Sequence, residues 1–209
     1  MAEPQTTPEI KNGKLLSSRV TDKVTSKIEK GQMASVAGIV VHQTGGGSAQ
    51  SALSSYQQGA AGAHFLIDTD GTIYQTARTN QKCWHVGNIR SRCYETKTCT
   101  PAELEAVKGI LFKKGEAYSV RIKKLSDHEA PKSVPDRYPS NSDSIGIELV
   151  APFDAKTKTY ATVTAAQNES LTWLVSTLQS ALALAAGRVH THPEVSYKQS
   201  SEAATAKWQ

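Results

Sequence analysis

An α/β fold is expected, a single domain whose central mixed β-sheet is flanked by helices on both faces, and three features of the sequence predict it. Short apolar runs rich in Val and Ile, "SVAGIVVH" (Ser35 to His42) and "SIGIELV" (Ser144 to Val150), have the length and composition of buried strands. Amphipathic segments opened by capping boxes alternate with these runs, and interleaved strands and helices favour a sheet covered on both sides. A hairpin signal lies between the runs, so part of the sheet is antiparallel and the whole is mixed.

Taken in order, residues 1–33 are polar, with Pro4, Pro8 and many Thr, Ser and Lys, and read as an arm draped over a domain of residues 34–209. The first apolar run ends at His42, where "TGGG" breaks the strand. No Gly-Lys-Ser/Thr follows those glycines, which argues against a phosphate-binding loop. "SAQSALSSYQQG" (Ser48 to Gly59) predicts a short helix stopped by Gly59. "HFLIDTDGTIYQTA" (His64 to Ala77) predicts a hairpin around Asp68-Thr69-Asp70-Gly71, with the glycine taking positive φ. In "TPAELEAVKGILFKKG", Thr100 is the N-cap, Pro101 the first helical residue, and Glu103 reaches back. Leu104, Val107 and Leu111 share a face, which predicts a helix ending near Gly115.

The segment Ser126 to Asp143, with Pro131, Pro135 and Pro139, predicts a long loop of the kind that carries function. A second capping box, Thr164 with Gln167, opens the longest helix, along which Leu171, Leu174, Val175, Leu178 and Leu182 recur. That helix runs out at Gly187, and "RVH" (Arg188 to His190) is a brief strand-like run.

The 209 residues suit one domain, and 38% hydrophobic with 21% charged residues places the chain among soluble globular proteins. No apolar run approaches the ~20 residues that span a bilayer, so no membrane insertion is expected. The first twenty residues lack the pattern of a Sec signal, and work in the periplasm or cell wall therefore implies delivery by a non-Sec route. The net charge of +5 suits an anionic partner such as nucleic acid, a membrane surface or bacterial cell wall. The densest basic stretch, "FKKGEAYSVRIKK" (Phe112 to Lys124), lacks an aromatic platform and reads as a solvated face, so nucleic acid is not an expected partner. Of three cysteines, Cys93 and Cys99 flank a short loop and can close a disulfide, leaving Cys83 free. No C-x-x-C spacing offers a thiolate zinc site.

Metal sites on such sheets gather ligands from strand ends and loops, where His42 and His192 fall. Taken alone, each reads more readily as a hydrogen-bonded surface or core histidine than as a ligand. Glu148 interrupts an apolar strand, and a carboxylate there is costly to bury unless it is paired or faces a cavity. Burial would raise its pKa toward what a general base needs; a strand glutamate facing solvent or paired with Arg is the alternative.

The ordered motifs "IVVHQT", "HFLIDTDGTIYQ", "CWHVG", "NSDSIGIELV" and "HPEVSYK" resemble the type 2 N-acetylmuramoyl-L-alanine amidase family, which includes phage lysozyme-type amidases and peptidoglycan recognition proteins. The resemblance runs from about Gly38 to Trp208. It implies that family's fold and a Zn2+ hydrolase that cuts the amide between N-acetylmuramic acid and L-alanine of the peptidoglycan stem peptide. It further implies His42 and His192 as metal ligands, with His190 and His64 structural. Phage enzymes take their base from a tyrosine where this chain has Ala63, so Glu148 matches the glutamate subtype. Lys198 matches a lysine that stabilises the transition state, and His85, with Trp84 nearby, matches a position lining the substrate groove, a packing role for Trp84 being the alternative. The third ligand, two residues after the lysine, falls on Ser200, a poor zinc ligand. Glu202 is therefore expected to be the third ligand, with Ser200 or water as alternatives. An antibacterial effector with an immunity or inhibitor protein as partner is expected first and a phage lysin second, with a wall-recycling enzyme also open. The alternative is a non-catalytic peptidoglycan-binding module, favoured by Ser200 and opposed by Glu148 and Lys198.

Overall fold

The computed structural model describes residues 8–209, so the first seven residues of the predicted arm, and of the stretch read for a Sec signal, lie outside it. The rest of the arm is more than a drape. β1 (Glu9–Lys11) and β2 (Lys14–Leu16) form an antiparallel pair, and β3 (Val20–Asp22) joins the main sheet as a parallel neighbour of a later strand. Leu15, Ile28 and Met33 from this segment are buried, which ties it to the core.

β4 (Gly38–Gly45) follows, then α1 (Ala49–Gln57), whose N-cap Ser48 accepts a hydrogen bond from the Ser51 N–H. β5 (Phe65–Ile67) and β6 (Ile73–Gln75) make the predicted antiparallel hairpin. Gly71 sits in its turn at φ +89°, and a Cβ there would lie 2.9 Å from the Ala166 carbonyl oxygen, so both backbone conformation and space call for glycine.

α2 (Arg92–Thr96) and α3 (Pro101–Leu111) come next, and Cys93 and Cys99 are joined by a disulfide that closes the loop after α2. Thr100 caps α3 by accepting from the Glu103 N–H, but the Glu103 carboxylate does not reach back. It pairs with His128 on the next helix and with Lys132 just beyond it, a charged partner outcompeting a backbone N–H. The predicted long loop starts later than expected, because α4 (Tyr118–Glu129) takes in its first four residues.

β7 (Ser144–Asp154) and β8 (Thr159–Tyr160) are antiparallel neighbours, α5 (Ala165–Ala181) begins at the complete Thr164/Gln167 capping box, and β9 (Val189–Thr191) leads into the short α6 (His192–Val195). The sheet runs β3-β6-β5-β7-β4-β9 with β8 beside β7; β5, β7, β4 and β9 are parallel and β6 is antiparallel to β5. It is the expected mixed sheet. No described helix is long and apolar enough to cross a membrane.

Successive strand residues point to opposite faces, and that alternation divides core from site. Ile39 and Val41 of β4, Phe65 and Ile67 of β5, and Ile145, Ile147 and Leu149 of β7 pack under Leu171, Leu174, Val175 and Leu178 of α5. On the other face, Leu66 and Val150 pack with α1 through Ala49, while Val40 packs with Val86, Ile89, Tyr138 and Val195. His42 and Glu148 keep the phase of this second face and are direct neighbours in the β4–β7 register.

Candidate functional site

His42, Trp84, His85, Glu148, His192, Lys198 and Glu202, drawn from five separate segments, line one open cleft of about 460 Å³ above the second face of the sheet. β4 runs three residues past His42 to Gly45, so the expected break comes later and His42 is delivered from the carboxyl half of the strand, while β9 hands over directly to α6, whose first residue is His192. Val195 of α6, buried with Val40, Val86 and Ile89, anchors that short helix. Glu202 lies in a turn beyond it, and the turn is fastened by Gln43: the Gln43 Oε1 accepts from the Ala203 N–H at 2.8 Å and its Nε2 donates to the Ala161 carbonyl at 2.8 Å.

The result is a tight group. The His42 and His192 ring centroids are 4.1 Å apart, and the Glu202 Oε1 lies 2.8 Å from the His192 Nδ1 and 3.6 Å from the His42 Nδ1. One ligand atom from each of the three lies within 4.8 Å of the other two. All three residues are buried, whereas Ser200 is exposed and does not line the cleft.

Hydrogen bonds assign the imidazole protons. The His192 Nε2–H donates to the Val86 carbonyl at 2.9 Å, which turns the Nδ1 toward Glu202, 2.8 Å away. The His85 Nε2–H donates to the Ser144 carbonyl, 3.3 Å away, so the His85 Nδ1 accepts from the His42 Nε2–H at 3.0 Å. His42 too therefore turns an Nδ1 lone pair toward Glu202. Burial, reinforced by the neighbouring His192, lowers the His42 pKa to about 4, so its ring is neutral near pH 7. Burial alone would raise Glu202, but its close contacts with His192 and His42 outweigh it, and the carboxyl is held at about 2, ionised near pH 7. Two imidazole nitrogens and a carboxylate thus converge, an acceptor set that fits a divalent cation with nitrogen and oxygen ligands such as zinc. Outer partners that fix ring orientation, here Val86 and His85, are what such a site requires.

Gly146 is the reason that His85 can take part. A Cβ on Gly146 would lie 2.7 Å from the His85 Nδ1, so the strand carries a glycine where the ring crosses it.

Glu148 is half-buried beside this group, and its Oε2 accepts from the Tyr56 hydroxyl at 2.7 Å. Burial raises its pKa, against the lowering effect of the Tyr56 hydrogen bond. Lys198 is exposed at the rim, and Trp84, 56% exposed, stands at the mouth with the Lys30 ammonium 4.9 Å from its ring centroid.

The remaining histidines lie outside the group. His64 donates from Nε2 to the Gln81 carbonyl at 2.8 Å and accepts at Nδ1 from the Gly146 N–H at 3.0 Å, a bracing role between strands. The His190 Nδ1 pairs with Glu194 at 2.7 Å, and His128 joins the cluster of Glu103, Glu129 and Lys132. Cys83 is free and buried, its thiol pushed up to about 12 by burial, which makes it unreactive. Tyr56, Gln43 and Gly146 are not foreseen from the sequence. Their only local signals are an aromatic in a helix of small polar residues, an amide in a core strand, and a strand glycine.

The sequence matches a family model described as N-acetylmuramoyl-L-alanine amidase over residues 32–208. No curated protein sequence matches it. Among solved structures, a selenomethionine AmpD derivative is similar at 15% identity with a TM-score of 0.55, over 96% of this chain and 93% of that one. At that identity the likeness is one of fold. AmiD from E. coli, in complex with anhydro-N-acetylmuramic acid-L-Ala-D-gamma-Glu-L-Lys, is similar at 18% identity with a TM-score of 0.49, over 90% and 58% of the two chains. The catalytic domain of XlyA is similar at 19% identity with a TM-score of 0.48, over 86% and 87%.

Proposed function

The chain belongs to the N-acetylmuramoyl-L-alanine amidase family, and from that premise we propose that it is a zinc-dependent hydrolase of peptidoglycan. Its bond is the amide between N-acetylmuramic acid and L-alanine of the stem peptide. The observation that carries this reading is the cleft itself, where His42, His192 and Glu202 converge next to a half-buried carboxylate on the neighbouring strand.

His42, His192 and Glu202 would hold the metal, leaving its fourth side to the cleft. Zinc, when bound, supplies Lewis acidity that lowers the pKa of water and polarises a carbonyl. Glu148 takes a proton from the water that attacks the amide carbon, and returns it to the leaving alanyl nitrogen as the C–N bond breaks. The raised pKa of Glu148 suits both directions of that transfer. The Lys198 ammonium, exposed at the rim, faces the carbonyl oxygen as it gains negative charge. Trp84 and His85 border the path of the substrate.

The binding-module alternative drew on Ser200. Glu202 in the group supports a carboxylate ligand, and Glu148 beside it supports a base; a pure binder needs neither. The Cys93–Cys99 disulfide supports action outside a reducing cytoplasm, and with it an effector or lysin role in which an immunity protein would be the partner.

Purified sacculi test the reading. Release of peptides with a free L-alanine amino terminus is expected, lost on treatment with chelator and restored by zinc. Sacculi left intact with zinc present would favour the binding module.

A further inference from the structure

We infer that Tyr56 is a positioning residue for Glu148, fixing the carboxylate through the hydrogen bond from its hydroxyl to Oε2. The inference rests on Glu148 being the base of the proposed reaction.

Tyr56 lies in the last turn of α1 and is 4% exposed. Its ring packs with Ile28, Ala77 and Cys83, and a Cβ on Gly62 would come within 3.0 Å of the ring's Cδ1, so the wall on that side is bare backbone. Ile28 belongs to the N-terminal arm, which thereby helps to build the site. A ring caged by separate segments cannot swing, and its one polar atom is spent on Glu148. Among the described residues, this is the one side-chain hydrogen bond that Glu148 makes.

A glutamate beside an open cleft has three side-chain torsions to fix before it can meet a water in a constant geometry. One short hydrogen bond to Oε2 fixes them and leaves Oε1 for the proton transfer. A phenol suits the task better than a cation would. Burial and the nearby Glu148 charge push the Tyr56 hydroxyl well above its ordinary pKa, so it stays a neutral donor across the working pH range. A Lys or Arg in its place would pull the carboxyl down and weaken the base. The phenol offsets only part of the effect of burial, and Glu148 remains above the ordinary carboxylate range.

Tyr56→Phe keeps the ring in its cage and removes the hydroxyl alone. On a soluble muropeptide, kcat should fall on the order of 10- to 100-fold, the cost of misplacing a reacting group by about 1 Å. KM, zinc content and Tm should stay as they are, and the acid limb of the kcat profile should move to higher pH, because the carboxylate has lost its donor. In a Glu148→Ala background, adding Tyr56→Phe should cost nothing more. A carbon-13 titration of the Glu148 carboxyl reads the same contact without turnover, and its midpoint should rise in Tyr56→Phe even if the protein proves not to cut peptidoglycan. Failure of the inference and failure of the proposed function are thereby told apart. An unchanged kcat, an equal loss in the Glu148→Ala background, or an unmoved carboxyl titration would each overturn the role of Tyr56.

Discussion

Replacing Glu148 with Gln should lower kcat by on the order of 10²- to 10⁴-fold, the range that positioned proton transfer supplies, while leaving one zinc bound per chain. The substitution keeps the side chain's shape, and its amide oxygen can still accept from the Tyr56 hydroxyl. What it removes is the ability to take a proton from water and return it to the leaving nitrogen. Glu148 lies outside the metal group, so metal affinity has no reason to change. Steady-state kinetics on a muropeptide, with metal analysis of the same sample, check both halves; normal turnover would take Glu148 out of the role.

Glu202→Ala should act on the other half of the site. It would remove one of the three proposed ligands and the negative charge that faces both Nδ1 atoms. Loss of an outer partner costs a metal site ~10- to 100-fold in affinity, so loss of a ligand should cost more than ~10²-fold. Competition with a zinc-responsive dye measures it. An unchanged zinc affinity would move the third position to Ser200 or water.

Much of the architecture was legible because its signals are local. β4 and β7 are short apolar runs, the β5–β6 turn needs a glycine at Gly71, and Thr164 with Gln167 opens α5 as written. α4 was not legible. Its N-cap, Ala117, makes no side-chain hydrogen bond, and its buried face is only Ile122, Leu125 and Glu129 among lysines and an arginine, too narrow a stripe to outweigh the charge. β1, β2 and β3 span three residues each, below the length at which any periodicity can be read.

The site divides in the same way. His42 and Glu148 stand out as polar residues that end or interrupt apolar runs. Tyr56, Gln43 and Gly146 do not, because their meaning lies in partners far along the chain. Tyr56 meets Glu148 across 92 positions and Gln43 meets Ala203 across 160. Gly146 is explained only once the His85 ring is seen lying against it. Contacts of that kind are set by the sheet register, which no local pattern of the sequence records.

The central claim is that His42, His192 and Glu202 hold one divalent cation between them. Anomalous diffraction at the zinc edge from zinc-soaked crystals tests it most directly. A single strong peak ~2.0–2.2 Å from the two Nδ1 atoms and a Glu202 oxygen is the predicted result. A peak instead at the Glu103, His128 and Glu129 cluster, or none at the floor of the cleft, would contradict it.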